Sequence, residues 1–263
     1  MFYLIFLFIV GAVVGSFLNV CIHRLPRGES TIFPASHCPS CDHKLGVLDL
    51  VPILGYLLLM GKCRYCKAAI SFRYPLVEFL TGSLFVVSAL KFPTLTPGFP
   101  FSVIFLSILL VIFFVDLEHL VIPDAISFSG ILLGLGYNYT RALSQQTAEP
   151  LNPFLSALYG LLVGYGLLYL VGVLGRLLFK KEAVGEGDLY LAALLGACLG
   201  FSGVLLAIFI SYLLAGVVTL VLLAAGKVKM GDYVPFGPAL VGGGVIAFFF
   251  GQQIIIWYIN LFI

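Results

Sequence analysis

The sequence predicts an all-α polytopic membrane protein of about eight transmembrane helices, with a small zinc-ribbon-like cytoplasmic domain between the first and second. Three observations carry this. Of 263 residues, 61% are hydrophobic and only 10% charged, where a soluble domain carries about 25%. Mean hydropathy is +1.14, and the apolar residues fall in long runs of the kind a span needs, about 20 residues each. Four of the six cysteines form two C-x-x-C pairs, both inside the only sizeable polar stretch.

The chain divides into a first helix (1–20), a cytoplasmic zinc-binding domain (21–73) and a membrane domain of about seven helices (74–263). The start is long enough to span and has no basic residue ahead of it, unlike a secretory leader. Residues 21–73 hold Arg24, Arg27, Lys44, Lys62, Arg64, Lys67 and Arg73. They also hold an apolar insert, VLDLVPILGYLLLMG, broken by Asp49, Pro52 and Gly55. It is too short to span and fits an interfacial or re-entrant piece. Further spans are expected at 74–90, 101–116, 124–139, 154–179, 188–201, 203–225 and 236–259, with a weak boundary at Gly200–Gly203. Prolines and glycines mark most of these boundaries. With eight spans, only Lys91 and Arg141 of the fourteen Lys and Arg fall on the side opposite the large loop. The positive-inside rule then puts that loop in the cytoplasm and both termini outside. The lipid bilayer is the expected surroundings, and no nucleic acid is expected as a partner.

Cys38-Pro-Ser-Cys41 and Cys63-Arg-Tyr-Cys66 offer four thiolates in the pattern of a closed structural zinc site. A reducing cytoplasm argues against disulfides. His37 and His43 flank the first pair and are expected at the surface. Cys21 and Cys198 are expected as small packing residues.

Two acids sit at the cytoplasmic ends of apolar runs. Asp116 closes FSVIFLSILLVIFFVD with no neighbouring basic residue. Asp188 follows Gly185-Glu186-Gly187, after the charged stretch Arg176, Lys180, Lys181, Glu182. Ionisable groups at membrane depth are costly and usually functional. Two carboxylates held together share a proton, and the pair can activate water and protonate a leaving group. The plainer alternatives are a helix-end acid for Asp116 and a helix cap for Asp188. Glu118 and His119 read as a hydrated loop, Asp124 as a cap after Pro123, and Glu186 as solvent-facing.

The motifs Gly15–Ser30 (GSFLNVCIHRLPRGES), Phe33–Cys41, Gly61–Glu78, VDLEHLVIPD, GEGDLYLAALLG and VPFGPAL occur in this order over nearly the whole chain. In this the chain resembles the type IV prepilin leader peptidase/N-methyltransferases, of the GxGD aspartic protease class that includes preflagellin peptidases and presenilins. The resemblance implies that Asp116 and Asp188 are the catalytic pair of a membrane-embedded aspartic endopeptidase. It would remove the basic leader from type IV prepilins, or from the pseudopilins of type II secretion, after a glycine at the cytoplasmic face of the inner membrane. S-adenosylmethionine would then methylate the new N-terminus, and Cys38, Cys41, Cys63 and Cys66 would hold zinc. One departure is Tyr190, where the family often has a lysine. No G-x-G-x-x-G follows a strand, so a donor site must come from the loop and helix ends, with Glu78 and Asn19 as weak candidates. The alternatives are a peptidase without methyltransferase activity, an inactive scaffold in a pilus or secretion machine, and a transporter using Asp116 and Asp188 as a proton relay. The absence of two related halves with broken helices weighs against a transporter.

Overall fold

The computed structural model describes residues 2–144, 152–180, 184–229 and 234–262, the side chains of Phe179 and Phe262 excepted. Lys181 and Glu182 of the charged stretch lie outside them. Among the described residues there is no strand, only two isolated β-bridges. Eight α-helices follow one another in the described residues: α1 Phe2–Arg24, α2 Leu54–Leu58, α3 Arg73–Lys91, α4 Gly98–His119, α5 Asp124–Leu143, α6 Pro153–Phe179, α7 Glu186–Ala224 and α8 Gly237–Phe262. The chain forms two compact units, one up to Val111 and one from Ile112 onward.

In the first unit α1 lies against α3, and small residues set the approach. A Cβ on Gly15 would come within 2.7 Å of the Glu78 Cα, and one on Gly11 within 2.9 Å of the Gly82 Cα. Such contacts let backbones touch where lipid removes the hydrophobic drive between helices. Below α1, buried Arg24 donates to the carbonyls of Ser30 (2.9 Å) and Pro34 (2.7 Å), tying down the loop that leads to the cysteines.

In the second unit the first half of α7 is the central helix, buried from Leu191 to Cys198. Ala192, Gly196 and Gly200 recur every fourth residue. They meet Gly160 and Gly164 of α6 so closely that no side chain fits between the backbones. Asn138 of α5 donates to the Ala197 carbonyl at 3.0 Å, and the Cys198 thiol donates to the Gly130 carbonyl. Cys21 and Cys198 are both buried, as packing residues should be.

Seven spans were expected after the first, with the sixth and seventh divided near Gly200–Gly203; among the described residues α7 runs through that boundary as one 39-residue element with a kink inside it. Its 39 residues as one straight helix would run about 58 Å, nearly twice the hydrocarbon thickness of about 30 Å. Gly200 breaks it at φ 75°, ψ −177°, a conformation open to glycine. The Ser156 hydroxyl accepts the freed Phe201 N–H at 3.2 Å. Among the described residues six elements, with α7 taken as one, are long and apolar enough by length and composition to cross a membrane. Helix α5 is not among them, because serines, Asn138, Thr140 and Arg141 dilute its hydropathy.

Two local expectations are corrected. Glu118 and His119 belong not to a loop but to the last turn of α4, which runs three residues past Asp116. The apolar run ends at Asp116, but the backbone bonding does not: Leu120, at φ 56°, closes the helix by donating to the Asp116 carbonyl at 2.9 Å. Asp124 does not cap α5. Pro123 is the N-cap residue, without a side-chain bond, and Asp124 is the first helical residue, where its charge suits the helix dipole.

Candidate active site and metal centre

Asp116 sits in the last turns of α4 and Asp188 in the first turn of α7, both in the second unit. Each side chain is only 5% exposed. The residues around them place them together. The Ile122 side chain packs against Gly187, where an added Cβ would come within 2.8 Å. On its other side Ile122 abuts Gly237, and Gly237 in turn faces the Asp116 carboxylate, with no room for a Cβ between them. Asp188 lies within reach of the Asp116 charge. Two carboxylates and an isoleucine thus share one small enclosure, closed by glycines where any side chain would intrude.

The two acids are held differently. Asp188 is the third residue of its helix: its N–H donates to the Gly185 carbonyl at 3.1 Å, and its Oδ2 accepts the Gly185 N–H at 3.3 Å. The expected alternative of an N-cap aspartate is corrected: Gly185 is the N-cap residue, and Asp188, at the third helical position, reaches back to the Gly185 N–H with one carboxylate oxygen. The Gly237 N–H faces the Asp116 carboxylate, and Asp116 Oδ2 is buried with no hydrogen-bond partner among the described residues.

Two further residues, Tyr212 and Phe236, complete the enclosure. Tyr212, in the second half of α7, lies within the field of Asp188, and its ring packs on Phe236 at 5.1 Å, next to Gly237. Their only sequence signal is the Pro235-Phe236-Gly237-Pro238 run, a glycine between prolines. Gly237→Ala should lower cleavage about 10²-fold, the cost of displacing a reacting group by about 1 Å. Initial rates at unchanged helix content by circular dichroism would check this.

Glu186 and Tyr190 lie on the opposite face of the same turn from Asp188. They line a cavity of about 230 Å³ with Tyr165, Tyr169, Gly172 and Arg176. Tyr190 packs between Phe128 (5.3 Å) and Tyr165 (6.1 Å). The residue in the lysine position is thus part of an aromatic cluster on the α6 side. Glu186 is exposed, as expected.

The first unit brings Cys38, Cys41, Cys63 and Cys66 together, with all four sulfurs within 4.8 Å of one another. Cys38 and Cys66 Sγ are 3.8 Å apart, far beyond a disulfide. Tetrahedral zinc with bonds of about 2.3 Å separates its sulfurs by about 3.8 Å, so the donor set fits that metal. The two pairs are built alike. Cys38 and Cys63 donate N–H to His43 and Ala68, Asp42 and Lys67 donate back at positive φ, and bridges His37–Lys44 and Lys62–Ala69 close each turn. In the second knuckle the amides of Cys66 and Tyr65 point at Cys63 and lower its thiol to about 7. His37 and His43 are exposed and outside the cluster, and His43 lies over the Tyr65 ring at 3.6 Å.

Glu78 and Asn19 each bond to backbone distant in sequence. Glu78 Oε2 accepts the Ile53 N–H at 2.7 Å, with the Ser16 hydroxyl also in reach. Asn19 donates to the Tyr74 carbonyl at 3.0 Å.

The bacterial peptidase A24 N-terminal domain matches residues 9–92, and the type IV leader peptidase family matches residues 103–220. Three curated relatives are named prepilin leader peptidase/N-methyltransferase. That of Myxococcus xanthus is 38% identical over 85% of this chain and 64% of its own length. That of Aeromonas salmonicida is 34% identical over 98% and 94%, and that of Bacillus subtilis 31% over 97% of each. No solved structure matches the chain significantly. On full-length relatives above 30% identity and two domain matches covering both units, the chain belongs to the type IV leader peptidase family.

Proposed function

We propose that the protein is a membrane-embedded aspartic endopeptidase. It cuts the basic leader of type IV prepilins or pseudopilins after a glycine, at the cytoplasmic face, and then methylates the new N-terminus. The observation that carries this is the shared enclosure of Asp116 and Asp188, two carboxylates buried behind Gly187 and Gly237. Like charges this confined cannot both ionise at little cost, so one proton is shared. The ionised member takes a proton from water as the water oxygen adds to the glycine carbonyl. The protonated member gives its proton to the departing nitrogen as the C–N bond breaks, leaving a carboxylate on the leader and a free α-amine on the pilin. The unpaired Oδ2 of Asp116 suits the water-binding part.

A glycine junction leaves backbone exposed where a helix would protect it, which gives a reason for cutting that bond. The positive-inside rule supports a cytoplasmic position for both acids and the cysteine domain, the side on which a basic leader would be met. Exposed Glu118, Asp124 and Glu186 would attract it. S-adenosylmethionine supplies the methyl group for the second activity. Glu78 serves that activity through position, since its carboxylate orders the Ile53 segment of the loop.

The test is to incubate purified protein with a prepilin, with and without S-adenosylmethionine, and weigh the products. A leader-sized loss in both, plus one methyl mass only with the donor, is expected. Cleavage with no methyl gain would leave a peptidase alone, and no cleavage would refute the reading. Glu118→Lys with Glu186→Lys should slow cleavage of a basic leader more than a neutral one, and equal rates on both would discard the attraction.

A further inference from the structure

We propose that residues 47–60 form a rigid apolar anchor that sits in the membrane interface and takes an anionic lipid surface as its partner. The tip is strongly apolar and strongly exposed: Val47 is 85% exposed, Leu58 81% and Met60 85%, with Leu48, Leu54 and Leu57 beside them. Patches of this kind on a folded surface mark an interaction site.

The tip is built, not loose. A short 3₁₀ turn, Val47–Leu50, leads into α2. Asp49 holds the turn from two sides, accepting the Gly46 N–H at 3.0 Å and pairing with Arg64 at 2.7 Å. Ile53 and Met60 sit at φ 61° and 51°, values that non-glycine residues hold only when their surroundings insist.

What fixes the partner is depth. The Ile53 N–H bonds to Glu78, five residues into α3, and Ser16, which reaches the same carboxylate, is eight residues before the end of α1. At about 1.5 Å per residue these lie about 8 and 12 Å inside the helix ends. The insert therefore folds back alongside α1 and α3; with the helix ends taken as the membrane face, the Glu78 contact falls at the depth where interfacial elements bury their apolar face, about 5–10 Å. Five residues of α2 rise only about 8 Å, so the insert enters the interface without crossing. Lys44 on one side and Lys62 and Lys67 on the other flank the apolar stretch. That charge complements anionic headgroups and holds the cysteine domain against the bilayer. The inference needs only that α1 and α3 cross the membrane, and it is independent of the peptidase activity.

Trp257 is the only tryptophan, which makes the test direct. In full-length Trp257→Phe protein reconstituted in phosphatidylethanolamine/phosphatidylglycerol liposomes, Leu58→Trp and, separately, Val47→Trp report on the tip. Lys44→Trp reports on the polar flank. Both tip tryptophans should emit at shorter wavelength than Lys44→Trp and lose roughly half their intensity when the phosphatidylglycerol chains are brominated, as expected at interfacial depth. Tip emission as in water and unquenched, in protein that still holds its zinc, would overturn the proposal. So would a blue shift that appears only when a prepilin is added, which would assign the surface to the substrate's apolar helix instead.

Discussion

Asp116→Asn and Asp188→Asn should each reduce prepilin cleavage by roughly 10²- to 10⁴-fold, the range a positioned acid or base contributes. In the proposed mechanism the pair moves one proton in each direction, and a carboxamide does neither at neutral pH. The two variants also separate chemistry from folding. An asparagine at 188 can still accept the Gly185 N–H through its carbonyl oxygen, so the first turn of α7 keeps its cap. At 116 the α4 backbone keeps its closing bond, because Leu120 donates to the main-chain carbonyl. Both proteins should insert and retain zinc. Groups acting as one unit are strongly non-additive, so the double variant should be scarcely worse than either single one. Rates of leader release by mass spectrometry decide this. Parent-like cleavage by either variant would remove that aspartate from the catalytic pair.

Much of the fold is legible because lipid leaves a chain few options. Apolar runs of span length must be helices, since no water satisfies their backbone. The Gly200 break was visible as a weak boundary in an otherwise continuous run, and glycine is the residue that can take that backbone turn. Misplaced details arose where hydropathy and hydrogen bonding part company. The α4 run turns polar at Asp116, yet the helix continues to His119, because backbone bonding does not require apolar side chains. The cysteine cluster was readable from spacing, since two C-x-x-C turns leave little freedom to their sulfurs. The near-identical build of the two turns was not, because Asp42 and Lys67 share a backbone conformation and not a residue type. The enclosure of the acids was half legible. Asp116 and Asp188 announced themselves by charge at membrane depth, but Ile122, Tyr212 and Phe236 are ordinary apolar and aromatic residues in a chain full of them. Their places follow from packing across α4, α7 and α8, which no local pattern encodes. Glu78 was noticed for its charge, and its partner, the backbone of Ile53, carries no sequence signature.

Cys38→Ser or Cys63→Ser should abolish zinc binding and unfold the loop, while leaving α1 and α3 in the membrane. The loop has little else to hold it: among the described residues of the segment the buried side chains are few, Cys38 and Cys63 themselves included. A four-thiolate zinc site is worth about 10–16 kcal/mol in small domains at neutral pH, more than such a segment can supply from packing. A serine hydroxyl is a poor ligand at that pH, and the three remaining sulfurs leave the metal with an open position that water can enter. Metal analysis should therefore fall from one zinc per chain to near none, and limited proteolysis should open sites between the two cysteine pairs. The membrane helices answer to different forces. Gly11 and Gly15 pack against α3 without any help from the metal, so protease-resistant membrane fragments should persist. Cleavage should fall less than methylation, because Asp116 and Asp188 lie in the unit that contains none of the four cysteines. Wild-type protein purified without chelators and found free of zinc would refute the metal site. Equal loss of both activities in the cysteine variants would show that the loop serves the peptidase as much as the methyl transfer.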